Sequence, residues 1–442
     1  MKLIKNYIDV RTDCEDNFLI HPYCGEIYVI GKKEIKMLSK WSKMSNIICD
    51  TSEEEEFFNH LLKKGFLVDK EEEEGILADK VLKASREHHE KLQREINSAV
   101  FVLTYACNFA CPYCYESGNK ENTTKVMTRE MVDTVFAMYN NKIDNIALYG
   151  GEPLLLQNKE IIEYIISKAP NAKYSITTNG YNIIEFIDIL SRIDINNIMI
   201  TLDGPKDIHN KTRILKHDVD VNGTYDRIIF GIDRLLDKNI KVKIRMNISE
   251  NNKSACENLR DELINKYNYQ FSQGLLVFEL QPIFQLSSTT RDNLNEELVY
   301  SQGKRKNINS YNTMAISVSP ILDSFIRNNR KFMPRYTFCD AETNRRFFDA
   351  EGDIYSCILA LKNKNASIGT YYPVIEYKKS SMITRNIENL EKCKNCKFRF
   401  LCGGGCANAI IDENGDVMKS NCSILNEVYN VLPNLFKKRI SK

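Results

Sequence analysis

The stretch AVFVLTYACNFACPYC, residues 99–114, joins an apolar strand pattern to three cysteines, Cys107, Cys111 and Cys114. Such a run predicts a buried strand, and the cysteines then lie in the loop at its carboxyl end. Three thiolates are too few to complete a four-iron cluster, which takes four ligands, so one iron would stay open. Zinc with a distant fourth ligand is the alternative. It is disfavoured because no His or further Cys lies nearby and the three-residue first gap is unusual for zinc.

Short apolar strands followed by helical stretches repeat along the chain. Strands separated by amphipathic helices predict right-handed crossovers and a parallel sheet, with chemistry at the carboxyl ends of the strands. The strand patterns are AVFVLTYA, NIALYGG, KYSITTNG, NIMITLDG, KVKIRMNI and LLVFELQPIF. These six units are fewer than the eight of a closed barrel, so we expect an α/β fold with an open, partial (β/α)6 barrel. The stretch 286–335 is expected to be polar and mostly helical.

Composition excludes several classes of partner. The 442 residues carry 61 Lys and Arg against 59 Asp and Glu, a formal charge of +2, so no long-range field for nucleic acid is expected. No apolar run approaches the roughly 18 to 20 residues that cross a bilayer, and the N-terminus has no signal-peptide core. We therefore expect a cytoplasmic protein without a membrane partner, whose fourteen cysteines are reduced and free to bind metal. The isolated Cys14, Cys24, Cys49 and Cys256 are predicted to be small buried hydrophobes.

Residues 1–90 are predicted to form a small separate module. FLIHPY and GEIYVI flank Cys24-Gly25 as a hairpin, and Ser52 with Glu55 predicts a capping box for a helix that Gly65 ends. Strands followed by helices and GFLV resemble the winged-helix peptide-recognition element that precedes many peptide-modifying enzymes. Such a module would offer a sheet edge to an extended leader peptide. A purely structural cap is the alternative. A polar linker helix is expected over residues 75–97.

The cysteine loop, with an aromatic residue beside its last cysteine, resembles the radical S-adenosylmethionine superfamily. The resemblance implies a [4Fe–4S] cluster on Cys107, Cys111 and Cys114. Its open iron chelates S-adenosylmethionine, which one electron cleaves to a 5′-deoxyadenosyl radical. The likeness continues through the strand-end motifs Gly150-Gly151-Glu152-Pro153, Thr177-Thr178-Asn179-Gly180 and Thr201-Leu202-Asp203-Gly204.

The same resemblance implies contacts with the cofactor. Gly150, Gly151 and Glu152 would meet its amino group, Thr201 its ribose, and Tyr113 its adenine. Arg213 would pair with the methionyl carboxylate, since a guanidinium fork matches a carboxylate. A surface salt bridge is the alternative for Arg213. Asp203, Glu279 and Gln281 stand at predicted strand ends, where they could contact substrate or serve packing.

Seven later cysteines follow a pattern that resembles the SPASM extension of one branch of the superfamily. They are Cys339, Cys357, Cys393, Cys396, Cys402, Cys406 and Cys422. The resemblance implies two auxiliary [4Fe–4S] clusters, one on Cys339, Cys357 and Cys406 and one on Cys393, Cys396, Cys402 and Cys422, which makes three clusters in all. A zinc ribbon on Cys393, Cys396, Cys402 and Cys406 is the alternative, but it would leave three cysteines without a role.

Ligand counting suggests a use for the first auxiliary cluster. The stretch IRNNRKFMPRYTF before Cys339 holds no cysteine, so this cluster has three thiolates and could bind and deprotonate a substrate thiol. We expect three domains: residues 1–90 for leader recognition, 91–335 for the radical SAM partial barrel, and 336–442 for the SPASM domain.

Three functions compete. The first is maturation of a ribosomally synthesised precursor peptide, with a thioether joining a Cys sulfur to another residue, as in sactipeptides and ranthipeptides; a flavodoxin or ferredoxin would donate electrons. The second is an anaerobic sulfatase maturase, which forms formylglycine. Those relatives lack the N-terminal module and carry Asp after the GxxxxC cysteine, where this chain has Ile358. The third is a non-enzymatic iron–sulfur scaffold or sensor, which would have no use for the strand-end motifs.

Overall fold

The structure, a computed structural model, describes residues 1–11, 17–94, 97–114, 124–216, 223–283, 314–316, 333–339, 341, 345–378, 381–411, 416–423, 425 and 428–429. Cys14 lies outside these residues, as does most of the stretch 286–335 that is predicted to be helical. The chain divides into two compact units. The smaller comprises Met1–Arg94, Val318–Thr343 and Ser381–Lys442, and the larger Glu95–Ser317 and Asn344–Ser380. The division into three domains at 1–90, 91–335 and 336–442 remains a prediction, and it differs from these two units.

The smaller unit begins with two antiparallel sheets and three helices. In chain order they are β1 (Lys2–Leu3), β2 (Ile8–Val10), β3 (Asn17–Ile20), β4 (Ile27–Ile30), α1 (Lys32–Trp41), α2 (Ser52–Lys63), β5 (Leu67–Val68) and α3 (Glu71–Arg94). Strand β1 pairs with β5, while β2, β3 and β4 form a three-stranded sheet. The predicted hairpin is confirmed, because Ile20 pairs with Ile27 and Gly25 makes the turn at φ +71°. The linker helix is confirmed as α3.

The cap of α2 lies one residue earlier than predicted. Thr51 is the capping residue, since its hydroxyl accepts a hydrogen bond from the Glu54 amide at 3.2 Å. The Glu54 carboxylate in turn accepts one from the Asp50 amide at 2.6 Å. The capping box predicted for Ser52 and Glu55 is therefore wrong, because Thr51 and Glu54 have the same spacing and the helix already includes Ser52. The predicted end of the helix is confirmed by Gly65, which has φ +76°.

The larger unit is built on one eleven-stranded sheet. Its strands are β6 (Ser98–Val102), β7 (Asn145–Tyr149), β8 (Lys173–Thr178), β9 (Asp194–Thr201), β10 (Val242–Ile248), β11 (Leu276–Pro282), β12 (Met314–Ile316), β13 (Arg345–Asp349), β14 (Asp353–Tyr355), β15 (Gly369–Thr370) and β16 (Glu376–Tyr377). The spatial order is β12-β11-β10-β9-β8-β7-β6-β13-β14-β15-β16. Strands β6 to β12 run parallel, which confirms the predicted α/β class with its mostly parallel sheet.

Two parallel strands go beyond the six predicted. Strand β12 pairs with β11 inside the stretch predicted to be helical, so that prediction is wrong for residues 314–316. Strand β13 pairs with β6 on the other side, where Arg345 aligns with Ser98 and Asp349 with Val102. Short strands of three to five residues carry too little periodicity to be recognised.

Helices connect the successive strands β6 to β11 along the chain. They are α4 (Arg129–Met138), α5 (Lys159–Lys168), α6 (Ile183–Leu190), α7 (Lys206–Thr212), α8 (Tyr225–Asp237), α9 (Lys253–Lys266) and α10 (Asn268–Ser272). Strand β10 shows how the sequence sets two faces: Val242, Ile244, Met246 and Ile248 are buried, while the residues between them are partly exposed. Along β10, one face thus packs into the apolar core and the other carries polar side chains.

The C-terminal part of the smaller unit adds α11 (Ser381–Thr384) and α12 (Arg399–Cys402). Its apolar residues Ile387, Leu390 and Phe400 share one buried cluster with N-terminal residues that include Trp41 and Leu61. None of the described helices is both long and apolar enough to cross a membrane. Among the isolated cysteines, Cys256 is buried as predicted. Cys49 is half-buried and Cys24 exposed, which contradicts the prediction for Cys24.

Candidate active site

The three-cysteine loop follows β6 and is fixed by the backbone that follows α7. The Ala110 amide donates a hydrogen bond to the Ile214 carbonyl at 2.7 Å. The Cys114 amide donates to the Cys111 carbonyl at 3.1 Å, which closes the last turn of the loop. All three cysteines are half-buried. The loop therefore holds three thiols at the carboxyl end of a central strand, where chemistry was expected.

Burial disfavours the ionised form of these thiols. The pKa of Cys107 is raised to about 12, chiefly by burial and then by Glu152 and Cys111, while Arg213 acts in the opposite direction. Burial also raises the pKa of Cys111, and Arg213 again opposes it. Metal binding requires thiolates, so these side chains need a further positive charge in the loop. A bound iron cluster would supply it, and the donor set fits the predicted cluster.

The Gly150-Gly151 turn after β7 lies directly on the backbone of the cysteine loop. The Gly151 amide donates to the Thr104 carbonyl and the Glu152 amide to the Ala106 carbonyl, each at 2.9 Å. A Cβ atom on Gly150 would lie 2.2 Å from the Thr104 oxygen, and one on Gly151 would lie 2.5 Å from the Ala106 oxygen. Only glycine permits so close an approach, so these two positions bring the second strand end against the first.

Glu152 is a buried carboxylate that joins two strand ends. Its Oε1 accepts hydrogen bonds from the Thr178 hydroxyl at 2.6 Å and the Leu154 amide at 2.8 Å, and Oε2 accepts one from the Asn179 amide at 2.6 Å. Burial raises the pKa of Glu152, and these hydrogen bonds oppose that rise. The side chain amide of Asn179 donates to Asn108 Oδ1 at 2.7 Å. The third strand end is thereby tied to the cysteine loop.

Asp203, Arg213 and Tyr113 form a buried polar cluster at the end of β9. Asp203 is 1% exposed and Arg213 8%, so the surface salt bridge considered for Arg213 is wrong. The Tyr113 hydroxyl donates to Asp203 Oδ2, Arg213 Nη1 donates to the Tyr113 hydroxyl at 3.0 Å, and Arg213 Nη1 lies 3.9 Å from Asp203 Oδ2. Burial raises the pKa of Asp203, and the charge of Arg213 lowers it.

Arg213 also offers a free donor. Its Nε is buried and has no hydrogen-bond partner among the described residues. An unpaired buried donor is costly, and a carboxylate is the acceptor that best matches a guanidinium edge. The site therefore fits the predicted role of Arg213 toward the methionyl carboxylate. Thr201 is buried at the end of β9, two residues before Asp203, and aligns with Arg245 on β10. Its role at the ribose remains a prediction.

Glu279 and Gln281, the two possible substrate contacts on β11, differ in burial and in their partners. Glu279 is buried and already paired, with Arg245 Nε at 3.0 Å and Lys243 Nζ at 3.3 Å from its carboxylate. Gln281 is half-buried, and its amide donates to the Pro282 carbonyl at 3.3 Å. Glu279 is therefore fixed by ion pairs from the neighbouring strand.

Sequence reasoning missed Arg245 and Asn247 on β10. The Asn247 amide donates to Asp203 Oδ1 at 3.1 Å, and its side chain lies 3.4 Å from the Tyr113 hydroxyl. The alternation along β10 could have identified both residues, because it places Arg245 and Asn247 together on the face opposite the buried apolar residues. The predicted barrel makes β9 and β10 neighbours, but the sequence pattern does not give the register of their pairing, which brings the Asn247 amide to Asp203.

Four of the C-terminal cysteines lie together in the smaller unit. The pKa values of Cys393 and Cys402 are raised to about 11 and about 12, in both cases first by burial and then by neighbouring cysteines that include Cys396 and Cys422. Gly403, Gly404 and Gly405 all have positive φ, between 63° and 89°. A Cβ on Gly405 would lie 1.9 Å from the Asn421 oxygen, so the glycine turn packs against the residue before Cys422.

The other three C-terminal cysteines are less enclosed. Cys339 is exposed and Cys406 half-buried in the smaller unit, while Cys357 is half-buried and follows β14 in the larger unit. Their assignment to one cluster stays a prediction. Within the described ranges, no three His, Cys, Asp or Glu side chains are grouped closely enough to hold a single metal ion.

Comparison with known proteins finds a family model that matches one part of the chain. Residues 101–262 match the model of the Radical SAM superfamily. GTP 3′,8-cyclase of Clostridium perfringens is 31% identical over 204 residues, which are 44% of this chain and 58% of that protein. The chain thus spans little more than half the length of the first curated relatives it matches.

Two other matches extend over nearly the whole chain. The radical SAM cyclopropyl synthase TigE of Paramaledivibacter caminithermalis is 22% identical over a 467-residue alignment that covers 94% of this chain and 92% of TigE. The structure of Streptococcus suis SuiB bound to precursor peptide SuiA aligns with a TM-score of 0.54 at 16% identity, covering 96% of this chain and 99% of SuiB. At that identity the structural match establishes the fold alone.

Proposed function

We propose that this chain, whose residues 101–262 match the model of the Radical SAM superfamily, is a radical SAM enzyme that modifies a ribosomally made precursor peptide. The proposal depends on one observation: the loop with three thiols lies at the same carboxyl ends of parallel strands as the buried residues Glu152, Arg213 and Asp203. The full-length similarity to SuiB, which was crystallised with a precursor peptide, supports a peptide substrate.

In the proposed site, Cys107, Cys111 and Cys114 would hold a [4Fe–4S] cluster and leave one iron for the cofactor. Arg213 Nε, the buried donor without a partner among the described residues, would bind the carboxylate of S-adenosylmethionine. The Gly150-Gly151 backbone and Glu152 would contact its amino group, Thr201 the ribose, and Tyr113 the adenine. When bound and reduced, the cofactor supplies a carbon-centred radical that abstracts hydrogen.

The polar cluster keeps the site rigid and its charges balanced. Asp203 accepts from Tyr113 and from the Asn247 amide, so its charge stands beside Arg213 and orients the guanidinium. Burial keeps water from Arg213, which strengthens its attraction for a carboxylate. Arg213 also counters the negative charge of Cys107 and Cys111, because it lowers the pKa of both.

We propose a thioether as the product, formed between a peptide Cys sulfur and a carbon of another residue. Of the seven C-terminal cysteines, Cys393, Cys396, Cys402 and Cys422 would fill one auxiliary cluster. Cys339, Cys357 and Cys406 would leave an iron of the other open for the substrate sulfur. Forming this bond requires the peptide to lose one hydrogen atom, one proton and one electron. S-adenosylmethionine would supply the radical that takes the atom, the thiol would give up the proton, and the cluster held by Cys339, Cys357 and Cys406 would accept the electron. An external flavodoxin or ferredoxin would supply the reducing electron, and residues 1–90 would bind the leader.

Formation of a cyclopropyl ring is the second candidate, favoured by the full-length match to TigE. Ring closure between two carbons needs no substrate thiol, and it also removes two hydrogens. Mass alone therefore does not separate the candidates.

The proposal is tested by co-expression with a short Cys-containing peptide encoded in a neighbouring reading frame, where the genome has one, followed by mass spectrometry. A modified peptide should be lighter by two hydrogens per bond, and the loss should vanish in Cys111→Ala. Iodoacetamide then distinguishes the products, because a thioether consumes a thiol whereas a cyclopropyl ring leaves every thiol free to be alkylated. A peptide of unchanged mass, produced beside a chain that cleaves S-adenosylmethionine, would contradict the peptide substrate.

A further inference from the structure

Arg385 is a buried arginine held by carbonyl oxygens. It is 2% exposed. Its Nε donates to the Val417 carbonyl at 2.8 Å and Nη1 to the Gly405 carbonyl at 2.8 Å. Its Nη2 donates to the Gly404 carbonyl at 2.6 Å and to the Lys419 carbonyl at 3.1 Å. Four hydrogen bonds from one guanidinium to backbone show a side chain fixed in a single position.

The four acceptors belong to two loops that carry cysteines. Gly404 and Gly405 lie between Cys402 and Cys406, whereas residues 417 and 419 lead into Cys422. The loops also meet directly, since the Asn421 amide donates to the Gly404 carbonyl at 2.9 Å. Arg385 therefore fastens the segment of Cys402 to the segment of Cys422.

Arg385 forms no ion pair with a carboxylate in the part of the chain that the structure describes. All its hydrogen bonds go to neutral carbonyls, and no described Asp or Glu forms an ion pair with it. A buried cation is costly without a counter-charge. The carbonyls that hold the guanidinium lie on the loops of Cys402, Cys406 and Cys422, so ionised thiols on these loops would be negative charges close to it.

We propose that Arg385 is a positioning residue for the auxiliary cluster of Cys393, Cys396, Cys402 and Cys422, and that its charge raises the reduction potential of that cluster. The inference rests on the proposed function, which places a cluster there. A four-iron cluster with four thiolates is an anion and gains negative charge on reduction. Net charge and hydrogen bonding around a cluster set its potential. A buried cation nearby therefore favours the reduced form, which suits a cluster that passes electrons.

The test compares Arg385→Met, which removes the charge, with Arg385→Lys, which keeps it. Arg260→Met is the matched control, because Arg260 is equally buried at 4% exposure but lies on α9 of the larger unit. Each full-length protein is reconstituted anaerobically and assayed for iron and sulfide. A reductive titration followed by electron paramagnetic resonance then gives the midpoint potential of each cluster.

One cluster of Arg385→Met should be harder to reduce by roughly tenfold in the equilibrium constant, which is about 59 mV for one electron. Arg385→Lys and Arg260→Met should match the wild type. Loss of one cluster's iron in Arg385→Met but not in Arg385→Lys would also support the proposal. Unchanged potentials in a fully loaded Arg385→Met, or equal iron loss in both Arg385 variants, would overturn it. A wild type with only one or two clusters would contradict the proposed function itself, and iron analysis reveals that case before any variant is compared.

Discussion

Replacement of Gly151 by Ala is predicted to damage the site without unfolding the protein. The new Cβ would lie 2.5 Å from the carbonyl oxygens of Tyr105 and Ala106, and 2.8 Å from the Ala106 carbonyl carbon. Backbone atoms cannot rotate away as a side chain can, so the turn must move by about 1 Å to bring the 2.5 Å contacts to an ordinary van der Waals distance of 3.4 Å. That movement stretches the hydrogen bonds Gly151–Thr104 and Glu152–Ala106, both 2.9 Å.

The expected cost has two parts. Overpacking typically costs about 1–3 kcal/mol. Weakening the two hydrogen bonds adds about 0.5–1.5 kcal/mol each. The larger effect should be kinetic, because a misplacement of about 1 Å in a site lowers rates by roughly 100-fold. We therefore expect 5′-deoxyadenosine formation to fall about 100-fold, with a moderate drop in melting temperature.

The assay is the rate of 5′-deoxyadenosine release under dithionite, measured with the melting temperature and the iron content of the same sample. Gly75→Ala is the control. Gly75 lies within α3 with nothing within 4 Å of its added Cβ, so alanine there should stabilise the helix by about 0.5–1 kcal/mol and leave the rate unchanged. A Gly151→Ala protein with wild-type rate would refute the claim that the glycine turn fixes the cysteine loop.

Three further predictions follow from named contacts. Arg213→Met should lower the melting temperature more than Arg213→Lys, because it leaves Asp203 buried without its cation, a loss of about 3–5 kcal/mol; equal effects would contradict the ion pair. Thr51→Ala should speed hydrogen exchange in α2 by a factor that corresponds to about 0.5–2 kcal/mol, and Ser52→Ala should have little effect; the reverse order would restore the cap predicted from sequence. Burial raises the pKa of Asp349 to about 6, above its unfolded value, and hydrogen bonds from the Asp353 amide and the Tyr105 hydroxyl oppose this rise. The protonated carboxyl therefore contributes to the stability of the folded protein at acid pH, and this contribution is lost as pH rises through 6. The melting temperature of wild type relative to Asp349→Asn should therefore increase from pH 7 to pH 5, and a pH-independent difference would contradict that shift.

The sequence predicts the six central strands because each is an apolar run separated from the next by a helical stretch, and the first four also end in a polar motif. Strand β13, with the sequence RRFFD, carries no such motif, and its pairing with β6 joins residues about 250 positions apart. The cap of α2 shows a different limit: Thr51 and Ser52 are chemically equivalent caps, and only the backbone decides between them.

Local sequence motifs likewise identify some residues of the candidate sites and not others. Local motifs identify the cysteine loop, the glycine turn and Glu152, because each lies within a few residues of a strand end. Asn247 and Arg385 act through distant partners, and a single Asn in a strand or a single Arg after a short helix has no distinctive local pattern. Their roles depend on which strands and loops are neighbours, which is a property of the folded chain.

The proposed activity depends on an open iron in the cysteine loop that binds S-adenosylmethionine. Electron paramagnetic resonance of the anaerobic, dithionite-reduced protein, recorded before and after addition of S-adenosylmethionine, examines it directly. One cluster signal should change on addition in the wild type, and that response should be absent in Cys111→Ala while the auxiliary signals persist. Identical spectra with and without S-adenosylmethionine in a fully loaded wild type would contradict the assignment of Cys107, Cys111 and Cys114.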